Sequence, residues 1–224
     1  MNMTFIKICG MTNIDDARAA IEMGADALGF IFADSPRKVV PEKVRDIISQ
    51  LPENKKFVGV FVNHPYKKVL SIKEFCNLNA IQLHGDEMIL DDNDKMLDYP
   101  ESYHFPKSEA SFVIKGIRVG PGHPVPSSID PQVMLLLDTY SKTSHGGTGQ
   151  TFDWQQAVDI ASKRQIMLAG GLNPDNVDQA IKIVRPFGVD VSSGIELEKG
   201  RKNHDKMRAF IENVRAADKK GDGK

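Results

Sequence analysis

Short apolar runs alternate with amphipathic stretches along the chain. The runs are FIKIC (5–9), ALGFIF (27–32), KFVGVFV (56–62), AIQLH (80–84), FVIKGI (112–117), VMLLLD (133–138), IMLAG (166–170) and VDVSS (189–193). Most are rich in Val, Ile, Leu or Phe, the pattern of strands covered on both faces by helices. Between the runs, apolar residues recur at helical spacing. Thr12 or Asn13 can cap a helix that carries Ile14, Ala17, Ala20 and Ile21, with Gly24 as its stop. Pro41 suits the first turn of a helix running through Val44, Ile47 and Ile48 to Leu51. Similar patterns follow Pro65, Asp153 and Pro174, and the last carries Met207, Phe210, Ile211 and Val214. Eight strand-like runs spaced by one strand–helix unit imply a parallel sheet. Eight such units most simply close into a single (β/α)8 barrel over residues 1–217, with an open doubly wound sheet as the alternative.

Two stretches break the rhythm. Residues 85–110 hold acidic and polar clusters with a ragged helix signal from Ile89 to Leu97. Residues 119–132 (VGPGHPVPSSIDPQ) contain four prolines, so a loop or a very short helix is expected after the fifth strand. The terminal 218–224, dominated by Lys, Gly and Asp, reads as a disordered tail.

Composition narrows the function classes. Among 224 residues, 29 Lys and Arg nearly balance 30 Asp and Glu, giving a net charge of −1. That balance argues against nucleic acid or a polybasic membrane surface as the main partner, and leaves room for a local phosphate site. The two cysteines, Cys9 and Cys76, form no C-x-x-C pair, so neither a disulfide framework nor a structural zinc is expected. The opening MNMTFIKICGMTN lacks a secretory pattern, and no window approaches the roughly 18 apolar residues of a membrane span. A cytoplasmic protein, monomeric or homodimeric, is the expectation.

In such a barrel the chemistry sits at the C-terminal ends of the strands and in the loops after them. Glycine-rich turns follow the last three strands, with Gly146 and Gly147 in HGGTG, Gly170 and Gly171 in AGGLNPDNV, and Ser192, Ser193 and Gly194 in DVSSGIE. Glycines let a backbone approach an anion and serines add hydroxyl donors, so these turns suit a phosphate; the plain alternative is that they only make tight turns. Asp138 ends five apolar residues and belongs either at the barrel mouth or buried with a partner; at the mouth, desolvation would raise its pKa and suit it to general-acid work. Cys9, before Gly10 and a helix start, is either a small buried apolar residue or a thiol in positive backbone potential that favours thiolate. Arg37 follows Ser35-Pro36 and is either a carboxylate-binding fork or a solvated surface group. His84 ends QLH and could be a ligand or an acid, with substrate binding the expectation, but without a His/Asp/Glu set it does not indicate metal. Cys76, inside an amphipathic pattern, reads as structural.

KICGMT (7–12), GFIFADSPR (29–37), QLHGDE (82–87), GGTGQTFDW (146–154), LAGGLNPDNV (168–177) and GVDVSSGIE (188–196) together resemble the phosphoribosylanthranilate isomerase family, in order and at barrel positions. The resemblance implies an Amadori rearrangement of N-(5′-phosphoribosyl)anthranilate in tryptophan biosynthesis, with no cofactor and no metal. It implies Cys9 as general base and Asp138 as general acid, with their pKa values moved toward neutrality from opposite sides. It also implies Arg37 on the anthranilate carboxylate and the three glycine turns on the phosphate. The segment LEKGRKNHDK (197–206) departs from the Pro-Gly-x-Lys-Asp-like stretch usual in the family, which leaves the conformation after the eighth strand open. Competing readings are another phosphosugar enzyme, an epimerase or indole-forming synthase, and a non-catalytic phosphate-binding scaffold. The first lacks its expected metal-binding or lysine–glutamate set. The second does not account for Cys9 and Asp138 beside three glycine turns.

Overall fold

The computed structural model describes residues 3–90, 104–106, 112–120, 122–123, 125, 129–139 and 153–221. Eight parallel strands close into a barrel: β1 (Phe5–Cys9), β2 (Ala27–Ile31), β3 (Lys56–Phe61), β4 (Ala80–Leu83), β7 (Val113–Val119), β8 (Met134–Thr139), β9 (Ile166–Leu168) and β10 (Gly188–Val191). Around the ring the order is β1-β10-β9-β8-β7-β4-β3-β2. Each of the eight apolar runs overlaps one barrel strand, and β1 coincides with FIKIC.

Helices α1 (Ile14–Met23), α2 (Pro41–Ser49), α3 (Tyr66–Phe75), α4 (Gln155–Ala161), α5 (Val177–Val184) and α6 (His204–Gly221) form the outer layer. Their ends are set by local chemistry. Asn13, not Thr12, caps α1: its Oδ1 accepts the Asp16 N–H at 2.8 Å. Gly24 takes φ +106° to stop the helix, a conformation that costs a side-chain-bearing residue energy. Pro41 opens α2, and α5 ends before Pro186.

Two cores result. The larger fills the space between sheet and helices, with Ile6, Ile8, Phe30, Leu83, Leu137 and Phe210 fully buried. A smaller one fills the barrel interior with Ala27, Val58, Ile114, Leu136, Met167 and Ala169.

The irregular stretches resolve differently. After β7, the described residues up to β8 contain no helix, as the four prolines lead one to expect. After β4, Met88–Leu90 (β5) pairs in parallel with His104–Pro106 (β6) to make a small ribbon outside the barrel. The helix signal that began at Ile89 is therefore overturned for its first two residues, whose backbone hydrogen bonds go to a neighbouring strand; residues 91–103 lie outside the described set. After β10, a 3-10 turn (Ser193–Ile195) leads into an antiparallel hairpin of β11 (Glu196–Glu198) and β12 (Arg201–Lys202). This is the conformation of the divergent segment.

Helix α6 continues to Gly221, beyond the 217 boundary expected from sequence. Residues 218–221 therefore belong to the barrel's outer layer, and 222–224 lie outside the described set. The extension has a tertiary cause. Asp218 accepts the Thr4 N–H at 3.1 Å, and Arg215 reaches the Thr4 carbonyl at 2.6 Å and Asp26 Oδ2 at 3.1 Å. The last helix is thereby clasped to the first strand.

A second clasp holds the hairpin. Buried Asp16 accepts the Lys202 backbone N–H and the Asn13 amide, each at 2.8 Å, and its other oxygen lies 2.8 Å from His204 Nε2. Burial disfavours its charge, yet the Lys202, Asn13 and His204 contacts outweigh that and hold Asp16 below the ordinary carboxylate value. A carboxyl depressed on folding stabilises the protein above its unfolded pKa, about 4, and loses that contribution as pH falls through the folded value. Asp16→Asn is therefore expected to cost roughly 1–3 kcal/mol at pH 7. In urea titrations the gap from wild type should persist to about pH 5 and close below about pH 4; a gap independent of pH would contradict this.

Candidate active site

Side chains two apart on a strand face the same way, so the inward positions stack from the barrel interior to its C-terminal mouth. On β1 these are Lys7 and then Cys9; on β4 and the residue after it, Gln82 and then His84. Gly116 lies on β7, Asp138 at the end of β8, and Asp190 and then Ser192 on and after β10.

Cys9 is a buried free thiol facing Gly29 of β2, where a Cβ atom would come within 2.7 Å of its sulfur. Burial dominates its electrostatics and raises its pKa; Lys7 and Lys202 oppose this, while Asp190 adds to it. The downward shift expected from a helix-start position is thus overturned for this site, because desolvation of the thiolate exceeds the positive potential around it. Cys76 is structural, as its sequence position suggests. It closes α3, its thiol lies 3.3 Å from the Pro41 carbonyl, and burial pushes its pKa up to about 11.

Asp138 sits at the mouth and is also partnered, so the two locations left open by sequence are both occupied. Its Oδ1 accepts the Thr139 N–H at 2.8 Å, and Oδ2 lies 3.3 Å from His84 Nε2 without hydrogen-bond alignment. The Gln82 amide nitrogen is 3.0 Å from His84 Nδ1. With Gln82 donating there, Nδ1 is the acceptor and Nε2 is the ring nitrogen that faces Asp138. The imidazole fits because position 116 is glycine; a Cβ there would meet Nδ1 at 2.6 Å.

Arg37 is not a solvated surface group. Only 8% exposed, it makes a two-pronged ion pair with Glu196 on β11, Nε and Nη2 each at 2.7 Å from a carboxylate oxygen. Lys202 on β12 approaches the same carboxylate at 3.2 Å and the Ser192 carbonyl at 3.1 Å. Burial works against the Glu196 charge, but Arg37 and Lys202 overcome it and keep its pKa below the usual value. Beside this group Gly10 leaves the space through which Arg37 passes: a Cβ there would lie 2.7 Å from Arg37 Cδ and 2.9 Å from Ser192 Oγ. Ser192 therefore faces the Cys9–Arg37 side, and its buried hydroxyl has no hydrogen-bond partner among the described residues.

The glycine turns divide. Gly170 and Gly171 follow β9 with φ +82° and +66°, and Gly170 packs against Thr139 and the Asp138 carboxylate. Gly194 packs against the Leu172 carbonyl, which joins the turns after β9 and β10. Gly146 and Gly147 lie outside the described residues. Following the ring from β8 to β1, one meets Asp138, Gly170-Gly171, Ser192-Ser193-Gly194 and Cys9. The two described glycine turns stand between the carboxylate and the thiol.

Sequence reasoning missed Lys7, Asp190, Gln82, Glu196, Lys202 and the clearances at Gly29 and Gly116. Counting two residues back along each strand from Cys9, His84 and Ser192 would have found the first three. Glu196 and Lys202 had no such signal, since a hairpin brings them to Arg37. Gly29→Ala should overpack the Cys9 pocket, destabilising the protein by about 1–3 kcal/mol in urea titration and lowering kcat. Unchanged stability and kcat would mean the thiol moves aside freely.

No described helix is long and apolar enough to cross a membrane. The family model for N-(5′-phosphoribosyl)anthranilate isomerase matches residues 6–213. A relative of that name from Pelobacter propionicus is 42% identical over 215 residues, covering 93% of this chain and 94% of its own. Among solved structures, phosphoribosyl anthranilate isomerase from Thermotoga maritima superposes with a TM-score of 0.77 at 38% identity, covering 96% of this chain and 100% of that one. A structure of such an isomerase in complex with reduced 1-(o-carboxyphenylamino)-1-deoxyribulose 5-phosphate gives 0.76 at 36% identity, with the same coverage.

Proposed function

Because this chain belongs to the N-(5′-phosphoribosyl)anthranilate isomerase family, we propose that it converts N-(5′-phosphoribosyl)anthranilate to 1-(2-carboxyphenylamino)-1-deoxyribulose 5-phosphate, an aldose–ketose isomerisation of tryptophan biosynthesis. The observation that carries the residue roles is the placement of a carboxylate and a thiol at one barrel mouth, with glycine turns between them on the ring.

Asp138, in acid form, donates its proton to the ribose ring oxygen. The C1′–O bond breaks and the anilino nitrogen's lone pair forms the C1′=N⁺ iminium. Cys9, as thiolate, then takes the C2′ proton; the C2′–H electrons form the C1′=C2′ bond and the iminium electrons return to nitrogen. The resulting enolamine gains a proton at C1′ and loses its enol proton, leaving a ketone at C2′. Substrate and product are isomers, so no oxidant or cofactor enters. His84, held by Gln82 in the clearance at Gly116, faces the Asp138 carboxyl from across the mouth, where it contacts the substrate. Such proton transfers by positioned groups each contribute about 10²–10⁴ in rate.

Arg37 receives the anthranilate carboxylate. Glu196 engages its Nε and Nη2, which orients the guanidinium and leaves Nη1 as the nitrogen outside that pair. Gly170, Gly171, Ser192, Ser193 and Gly194, joined by Gly146 and Gly147 of the HGGTG motif, take the phosphate; turns after the last barrel strands recur as phosphate sites. The protein works in the cytoplasm, where a reducing environment preserves a catalytic thiol.

Turnover is followed as loss of fluorescence of freshly generated phosphoribosylanthranilate. Wild type should convert it, and Cys9→Ala and Asp138→Asn should each lose about 10²-fold or more in kcat. An unimpaired Cys9→Ala enzyme would remove the thiol from the mechanism. An inactive, folded wild type would overturn the substrate.

A further inference from the structure

Directly beneath Cys9 lies an ion pair that the proposed roles leave unused. Lys7, fully buried, contacts Asp190 Oδ1 at 2.7 Å, and the two residues are register partners on the adjacent strands β1 and β10. Packed apolar residues in place of such a pair are often as stabilising or more so, because removing two charges from water costs as much as their attraction returns. The lower interior positions of this barrel are filled that way, by Val58, Ile114, Leu136 and Met167. The charged pair occurs one inward step below the thiol. There the Lys7 ammonium works against burial by favouring the charged form of Cys9.

We propose that Lys7, clamped by Asp190, is a positioning residue that supplies the counter-charge for the Cys9 thiolate as the thiol exchanges its proton with the substrate. The inference rests on Cys9 being the base. The other charges acting on the thiol are arranged so that Lys7 is the one best able to do this. Lys202 and Arg37 also attract a thiolate, but both are tied to Glu196. Burial also lowers the Lys202 pKa, against the pull of Glu196. Asp190 opposes the thiolate, yet it holds the Lys7 ammonium charged against the burial that would otherwise neutralise it. Lys7 thus remains a cation where no water reaches, which is where a counter-charge has its greatest effect. Asp138 and His84 stand on β8 and just after β4, across the mouth from the thiol.

The test separates the charge from both folding and catalysis. In a Cys76→Ala background, the pH dependence of iodoacetamide alkylation at Cys9, read by mass spectrometry, reports the thiolate midpoint. The pH profile of kcat/KM reports the base. Lys7→Met should move the alkylation midpoint upward by about one unit or more, and the acid limb of kcat/KM should move with it. Lys7→Met leaves Asp190 unpaired, so Lys7→Met/Asp190→Asn, which removes both charges, is measured alongside and should move in the same direction by less. If both variants fold and the midpoint stays at its wild-type value, the proposal fails. If the midpoint rises while the acid limb stays in place, Lys7 still governs the thiol and the base assignment to Cys9 fails.

Discussion

Side chains on a strand alternate between two faces, and in a closed eight-stranded barrel one of those faces looks into a space with no bulk solvent. Every inward residue must then be apolar, paired, or directed at the mouth. Val58, Ile114, Leu136 and Met167 meet the first condition, Lys7 with Asp190 the second, and Cys9, His84 and Asp138 the third. The same alternation places each mouth group above a supporting residue on its own strand: Lys7 beneath Cys9, Gln82 beneath His84, Leu136 beneath Asp138. Where two inward side chains would collide, a glycine gives way. Gly29 yields to the thiol and Gly116 to the imidazole, neither with a left-handed backbone, so both are there for space alone.

Low solvent access also sets the terms for every charge at the mouth. Desolvation is the largest influence on Cys9, Lys7, Lys202 and Glu196, and the outcome differs with the partners each finds. Glu196 stays ionised because Arg37 and Lys202 both bond to it, and Lys7 stays charged because of Asp190. Cys9 has cations nearby but none devoted to it while it is protonated. The cluster is also mechanical. Arg37 comes from the loop after β2 and Glu196 and Lys202 from the hairpin after β10, so the two Arg37–Glu196 hydrogen bonds tie the two loops together across β1, and Lys202 braces Glu196 within the hairpin. Asp16 fastens the far side of the same hairpin to α1, at the Lys202 backbone and His204.

Much of this was legible along the chain. Apolar runs marked all eight barrel strands, since a strand buried on both faces has few polar residues to interrupt it. Gly24, Pro41 and the four prolines after β7 set local boundaries through backbone geometry, which needs no distant partner. The motifs around Cys9, Asp138, Arg37 and the glycine turns identified the mouth, because strand ends are where a barrel places its chemistry. Ile89 and Leu90 were misread because so short a piece of strand carries too little periodicity to tell it from a helix, and a remote segment, His104–Pro106, decides the matter. The end of α6 was misread because the composition of 218–221 is that of a tail, while contacts from Asp218 and Arg215 to Thr4, just before β1, hold it as helix.

The amino-acid sequence by itself determined the order of the eight barrel strands, the barrel class, the family and the residues at the strand ends, all of which follow from local periodicity, backbone chemistry and short motifs. Tertiary structure alone decided who faces whom. It set Lys7 against Asp190 across 183 positions and Arg37 against Glu196 across 159, and it gave the hairpin its place and Cys9 its raised pKa. Ion pairing and desolvation act through space at a few ångströms, and only the closed barrel determines which distant residues come that close.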